Sequence, residues 1–153
     1  MKKSGVVKFA WGSVTMVGAD HSSTCGIHDG NLIDGGNPAG FILRFNTGEV
    51  VYHSGDTGVF GDMALIDELY EPTILLLTIG DINTMGPEEA AFACHRFFKH
   101  AKWVIPMHFA TIADKMPDTY PEFVQLLKNK YHSPELKVID SYAEALGRWL
   151  DLH

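Results

Sequence analysis

Cysteine is scarce in this 153-residue chain: Cys25 and Cys94 stand far apart and no Cys-x-x-Cys pair occurs. That argues against a disulfide scaffold and against a thiolate zinc site, and reduced thiols of this kind suit a cytoplasmic protein. Positive charge is short as well. Twelve Lys and Arg face 19 Asp and Glu, a formal net charge of −7, whereas phosphate contacts need a basic face and none is visible in the order of residues, so nucleic acid is not an expected partner. No apolar run approaches the roughly 20 residues that span a bilayer, so no membrane association is expected. The opening Met1-Lys2-Lys3 imitates a signal peptide, but Lys8 and Gly12 interrupt the apolar stretch that follows, and it reads instead as a β-hairpin turning near Trp11-Gly12. Repeats, low-complexity tracts and interdomain linkers are absent, and the length is that of about one domain.

What is present is 46% hydrophobic residues, enough to fill a core. After the first hairpin, Ser22 to Asn37 is rich in Gly, Ser, Asn and Asp and reads as a long loop beside a site. Phe41 to Phe45 and Glu49 to His53 form a second hairpin around Asn46-Thr47-Gly48, with glycine where a positive φ is needed. Asp62 is placed to cap a helix from Met63 to Tyr70, whose inner face would use Met63, Ile66, Leu69 and Tyr70 and which Pro72 stops. Thr73 to Ile79 is so apolar that it reads as a strand buried on both faces, and Trp103 to Pro106 reads as a further buried strand. Between them, Pro87-Glu88-Glu89 opens a helix running to about Lys99, in which Cys94 is a core thiol. Tyr120 to Lys130 reads as an amphipathic helix, Leu136 to Ile139 as a last strand, and 140–150 as a terminal helix. Strands alternating with helices after a hairpin-rich first half imply an α/β layer with helices on one sheet face.

Three apolar strands end in possible metal ligands: Ala19-Asp20-His21, Val51-Tyr52-His53-Ser54-Gly55-Asp56 and Ile105-Pro106-Met107-His108. Taken singly, each has a plainer reading, Asp56 as a turn former or helix cap and each histidine as a hydrogen-bonded structural residue. The threefold repetition of the pattern favours ligands. Imidazole nitrogen and carboxylate oxygen at rigid strand ends suit a divalent cation, zinc before manganese, iron or nickel. Asp56 is the residue suited to bridge two ions, because a carboxylate has two oxygens where a neutral imidazole offers one nitrogen. Bridged metals lower the pKa of a shared water, which is hydrolytic machinery. His53 is expected to support a ligand without binding metal itself; His28, His100, His132 and His153 are read as surface residues.

The order of these motifs, with Asn37-Pro38-Ala39-Gly40-Phe41 and Thr84-Met85-Gly86-Pro87-Glu88-Glu89-Ala90-Ala91 between them, resembles the uncharacterised metal-dependent hydrolases of the metallo-β-lactamase superfamily, from the first residues to about Leu127. The resemblance implies that His21 binds one metal, that Asp56 bridges both, and that His108 binds the second. It also implies a four-layer αββα sandwich of two similar halves. The family's His-x-His-x-Asp-His motif, which supplies most remaining ligands, is absent, and Thr78 and Asp81 stand where the family strand usually has Pro and Gly. The chain therefore resembles a single C-terminal half-domain over 1–153: a mixed sheet with helices on one face, half of the sandwich, completed by a second chain.

Such a half would leave an apolar sheet face bare. A second copy, a separately encoded N-terminal half, or further residues of a longer protein would cover it. A homodimer is the preferred expectation, because a C2 interface repeats the approximate twofold relation of the two family halves. The functional expectation is a truncated metal-dependent hydrolase with an incomplete metal site, in which metal-activated water attacks an ester, amide or phosphoester. A non-catalytic homodimeric remnant and one subunit of a split hydrolase are the alternatives. Substrate is not legible.

Overall fold

Alternating apolar residues, broken by short turns, build most of the chain into one sheet. The structure, a computed structural model, describes residues 1–110, 118–133 and 135–139. In chain order its elements are β1 (Val6–Phe9), β2 (Gly12–Gly18), β3 (Thr24–His28), β4 (Asn31–Asp34), β5 (Ala39–Phe45), β6 (Val50–His53), α1 (Met63–Tyr70), β7 (Ile74–Thr78), α2 (Pro87–Arg96), β8 (Trp103–Met107), α3 (Tyr120–Gln125) and β9 (Lys137–Val138). Seven strands form a sheet in the order β1-β2-β5-β6-β7-β8-β9. The pairs from β1 to β6 are antiparallel and those from β6 to β9 parallel, so the sheet is mixed. β2, β6, β7, β8 and β9 run in the same direction, which brings their exits, among them those of β2, β6 and β8, to one edge.

Paired residues point to the same side, so the registers sort the side chains into two faces. One face carries Val17, Ile42, Tyr52, Leu75, Leu77 and Val104, all buried, and the helices cover it. Met63 and Ile66 of α1, Ala90, Ala91 and Cys94 of α2, the following Phe98, and Phe123 of α3 complete one continuous core there. Tyr52 stacks on Phe98 with ring centroids 5.2 Å apart. The Cys94 thiol, 3% exposed, is pushed up to about 12 by burial and is a core group as expected. The opposite face, reached through the pairs Met16↔Phe41, Leu43↔Val51, Val51↔Ile74, Ile74↔Trp103 and Leu76↔Ile105, is largely apolar too, but its large apolar side chains other than Val51 remain partly exposed. Among the described residues β7 is thus covered on one face where the sequence suggested two.

The hairpin at Asn46-Thr47-Gly48 forms as expected, with Gly48 at φ 107°. The stretch from Ser22 to Asn37 is not a plain loop: β3 and β4 pair as a separate two-stranded ribbon. Asp29 and Gly30, at φ 49° and 79°, make the tight turn that joins them, the backbone pattern favoured in two-residue hairpins. Helix α1 has the expected limits, but Asp62 makes no side-chain cap and Leu69 is 68% exposed. Asp67 is buried, accepting bonds from the Lys99 and His100 N–H groups and from His100 Nδ1 at 2.9 Å. His100 is therefore tied to a buried carboxylate. The helix after Tyr120 widens into a π-turn over Leu126–Lys130. The expected terminal helix at 140–150 and His153 lie outside the described residues. Among the described residues no helix is long and apolar enough to cross a membrane.

Candidate metal centre at the strand exits

Asp56 leaves the end of β6 through Ser54-Gly55. Gly55 sits at φ 65°, and a Cβ there would lie 2.3 Å from the Ala39 carbonyl oxygen, so only glycine lets the chain turn this close to β5. The Gly55 N–H donates to His53 Nδ1 at 3.0 Å, which pins the turn carrying Asp56. Burial holds the His53 pKa below its ordinary value, with the Asp56 carboxylate pulling the other way. Ser54, wholly buried, accepts from the Thr78 N–H and ties the exit of β6 to that of β7.

Thr57 joins the pieces. Fully buried, it accepts at Oγ1 from the Asp20 N–H at 2.9 Å and donates to the Gly58 carbonyl. Gly58 N–H in turn donates to the Asp20 carbonyl at 2.8 Å, and the Met85 N–H donates to the Thr57 carbonyl at 2.9 Å. The exit of β2, the exit of β6 and the start of α2 are thereby laced around one hydroxyl residue. The sequence motif contains Thr57, but a threonine beside a ligand carries no mark that distinguishes a tie between loops from an ordinary turn residue.

His108 follows β8 directly and adopts φ 57°, a left-handed conformation costly for a residue with a side chain. Its Nε2 lies 3.7 Å from Asp56 Oδ1. Two donors about 2.1 Å from one tetrahedral ion stand about 3.4 Å apart, so this pair has nearly the separation of two ligands sharing a cation. The Asp56 carboxylate is 52% exposed and the His108 side chain 32%, which leaves the pair open to solvent. His108 Nδ1 is buried and has no hydrogen-bond partner among the described residues.

His21 reaches the same edge but faces elsewhere. Its Nε2 lies 2.8 Å from the Asn83 carbonyl oxygen and its Nδ1 2.8 Å from that of Ser22. A neutral ring has one N–H and can satisfy only one of these acceptors. Asn83 belongs to a tight turn in which Asp81 and Ile82 both have positive φ, a conformation no residue type in the sequence announces. Among the described residues no group of three His, Cys, Asp or Glu side chains gathers closely enough to hold an ion. The structure thus brings Asp56 and His108 together, sets His53 beneath the Asp56 turn, and turns His21 to a carbonyl. Carboxylate and imidazole at 3.7 Å fit a divalent ion as a partial donor set.

A family model described as the beta-lactamase superfamily domain matches residues 1–109. This chain belongs to that family. The match takes in His21, Asp56 and His108. Among relatives of the superfamily, a UPF0173 metal-dependent hydrolase of Solibacter usitatus is 51% identical over 72% of this chain and 47% of its own length. One from Rubrobacter xylanophilus is 44% identical over the whole chain and 55% of its own. The chain spans about half the length of the curated relatives it matches. Among solved structures, Igni18, a metallo hydrolase from the archaeon Ignicoccus hospitalis, superimposes with a TM-score of 0.74 and 31% identity over 92% of this chain and 56% of that one. The α/β architecture of the superfamily, with its mixed sheet, is the fold described above.

Proposed function

We propose that this chain carries the metal-binding edge of a metal-dependent hydrolase acting on an ester, amide or phosphoester. The approach of His108 Nε2 to Asp56 Oδ1 at the shared edge of the strand exits carries the reading. The names of the superfamily relatives support it. Asp56 and His108 would hold a divalent ion, joined by His21 once its Nε2 leaves the Asn83 carbonyl. Zinc suits imidazole and carboxylate together; manganese, iron and nickel accept the same donors. Such an ion, when bound, acts as a Lewis acid and lowers the pKa of a water ligand towards neutrality. The chain's own contribution is placement: the Gly55 turn and His53 present Asp56 outward, and the left-handed backbone at His108 aims its ring back at Asp56. Thr57 holds the His21 loop within reach. The two free thiols suit a reducing compartment such as the cytoplasm.

Hydrolysis of p-nitrophenyl ester, anilide and phosphodiester probes, measured with added zinc or manganese, tests the reading. Activity that disappears in Asp56→Ala is expected. An unchanged rate in Asp56→Ala would show that Asp56 has no part in it.

A second reading has its own support. The described residues gather two donors where a catalytic zinc usually has about three protein ligands, and the chain spans half of its relatives' length. In that reading the chain is one part of a split hydrolase, and activity requires residues supplied by another polypeptide. Metal binding that depends on Asp56, with hydrolysis only after that polypeptide is added, would favour it; metal binding with no hydrolysis in either case would favour a non-catalytic remnant.

A further inference from the structure

Three buried side-chain polar atoms have no hydrogen-bond partner among the described residues: the Tyr52 hydroxyl, Thr78 Oγ1 and His108 Nδ1. Tyr52 lies in the helix-covered core. The other two sit at neighbouring strand exits. Thr78 ends β7 and pairs with Met107 at the end of β8, and the ladder continues one step further, with the Ile79 N–H donating to the Met107 carbonyl at 3.1 Å. His108 is the next residue on that side. Thr78 alternates with Leu75 and Leu77 and so stands on the same face as Leu76, yet it is wholly buried where Leu76 is partly exposed. The change comes where the exits of β6 and β8 flank the end of β7, with Ser54 Oγ on one side accepting from the Thr78 N–H and His108 on the other.

A buried polar atom left unpaired is costly, and two such atoms on adjacent strands can satisfy each other. The pair is also chemically matched. His108 Nε2 faces Asp56 Oδ1 at 3.7 Å, too long for a hydrogen bond, so Asp56 does not place the proton of the neutral ring. A hydroxyl oxygen can accept that proton's bond at Nδ1, and a β-branched threonine, stiff at χ1, holds such an acceptor still. We infer that Thr78 is a positioning residue for His108: a turn about χ1 brings its Oγ1 to the Nδ1–H, which keeps the proton on Nδ1 and leaves the Nε2 lone pair facing Asp56. Without that acceptor the Asp56 carboxylate draws the proton to Nε2, the nitrogen that a cation needs. The inference deepens the metal-centre reading and rests on it for its use, but the position of the proton is measured without metal.

Long-range proton–nitrogen NMR of the full chain, isotope-labelled at histidine, metal-free and at a pH where its imidazoles are neutral, is the test. The expected spectrum shows His108 protonated at Nδ1, with a nuclear Overhauser contact between its ring and the Thr78 methyl group. Thr78→Val, which keeps the volume and the branching, should move the proton to Nε2, and Thr78→Ser should keep it on Nδ1. Zinc affinity, read by competition with a chromogenic chelator, should fall about tenfold in Thr78→Val and be retained in Thr78→Ser. Should Thr78→Val fail to fold, the tautomer and the methyl contact of the unmodified chain decide the outcome. A His108 ring protonated at Nε2 in the unmodified chain, the absence of a contact with Thr78, or an unchanged tautomer in Thr78→Val would overturn the inference. Nδ1 protonation that depends on Thr78 in a chain that binds no zinc would support it while sinking the metal-centre reading.

Discussion

The two faces of the seven-stranded sheet are nearly equal in apolar content and differ in cover. On one, Leu75 and Leu77 are wholly buried under the helices; on the other, their chain neighbours Ile74 and Leu76 remain partly open. A strand that is apolar on both sides is made for a place between two layers. Among the described residues, the helices cover one face of the sheet and leave the other partly open.

The largest effect expected of this comparison comes from truncating adjacent residues of β7. Leu75→Ala removes a fully buried side chain from the helix-covered core and should cost about 3 kcal/mol in denaturant unfolding. Leu76→Ala, measured at a concentration low enough to keep copies apart, should cost less than about 1 kcal/mol. Equal losses would erase the distinction between the faces. A smaller effect is expected at the edge where the faces meet. Thr57→Val keeps the volume but strands the Asp20 N–H, so about 2 kcal/mol of stability should be lost, together with affinity for metal. The smallest lies on the outer side of the covering helices, where Glu88 Oε1 accepts from Lys130 Nζ and, at 2.6 Å, from the Tyr131 hydroxyl. The hydrogen bond from Lys130, then that from Tyr131, holds the Glu88 carboxyl below its ordinary range. A lowered folded-state pKa contributes stability that is present above the unfolded value and lost as pH falls through the folded one. Glu88→Gln should therefore lower stability slightly at neutral pH and converge with the unmodified chain at acid pH, flattening the acid limb, as melting temperatures across pH would show.

Much of this was legible in the sequence where local chemistry decides the outcome. Gly48 marks the β5–β6 hairpin, Pro87 with Glu88 and Glu89 marks the start of α2, and the period of Met63 and Ile66 marks α1. The β3–β4 ribbon was hidden because its polar and glycine-rich composition outweighed the turn at Asp29-Gly30. Leu69, expected on the inner face, is exposed, and Asp67 is buried instead because its carboxylate accepts from the distant backbone of Lys99 and His100. At the candidate site, strand ends identified Asp56 and His108 as neighbours. The turn of His21 towards Asn83 depends on positive φ at Asp81 and Ile82, which are not residues that advertise it.

The claim that matters most is that the strand-exit edge binds a divalent cation through Asp56 and His108. Native mass spectrometry of the purified chain, with zinc added and then removed by a chelator, tests it in one spectrum series. The account predicts at least one zinc ion per chain, lost in Asp56→Ala and in His108→Ala while the oligomeric state is unchanged. Zinc retained by both variants, or no zinc bound by the unmodified chain, would contradict it.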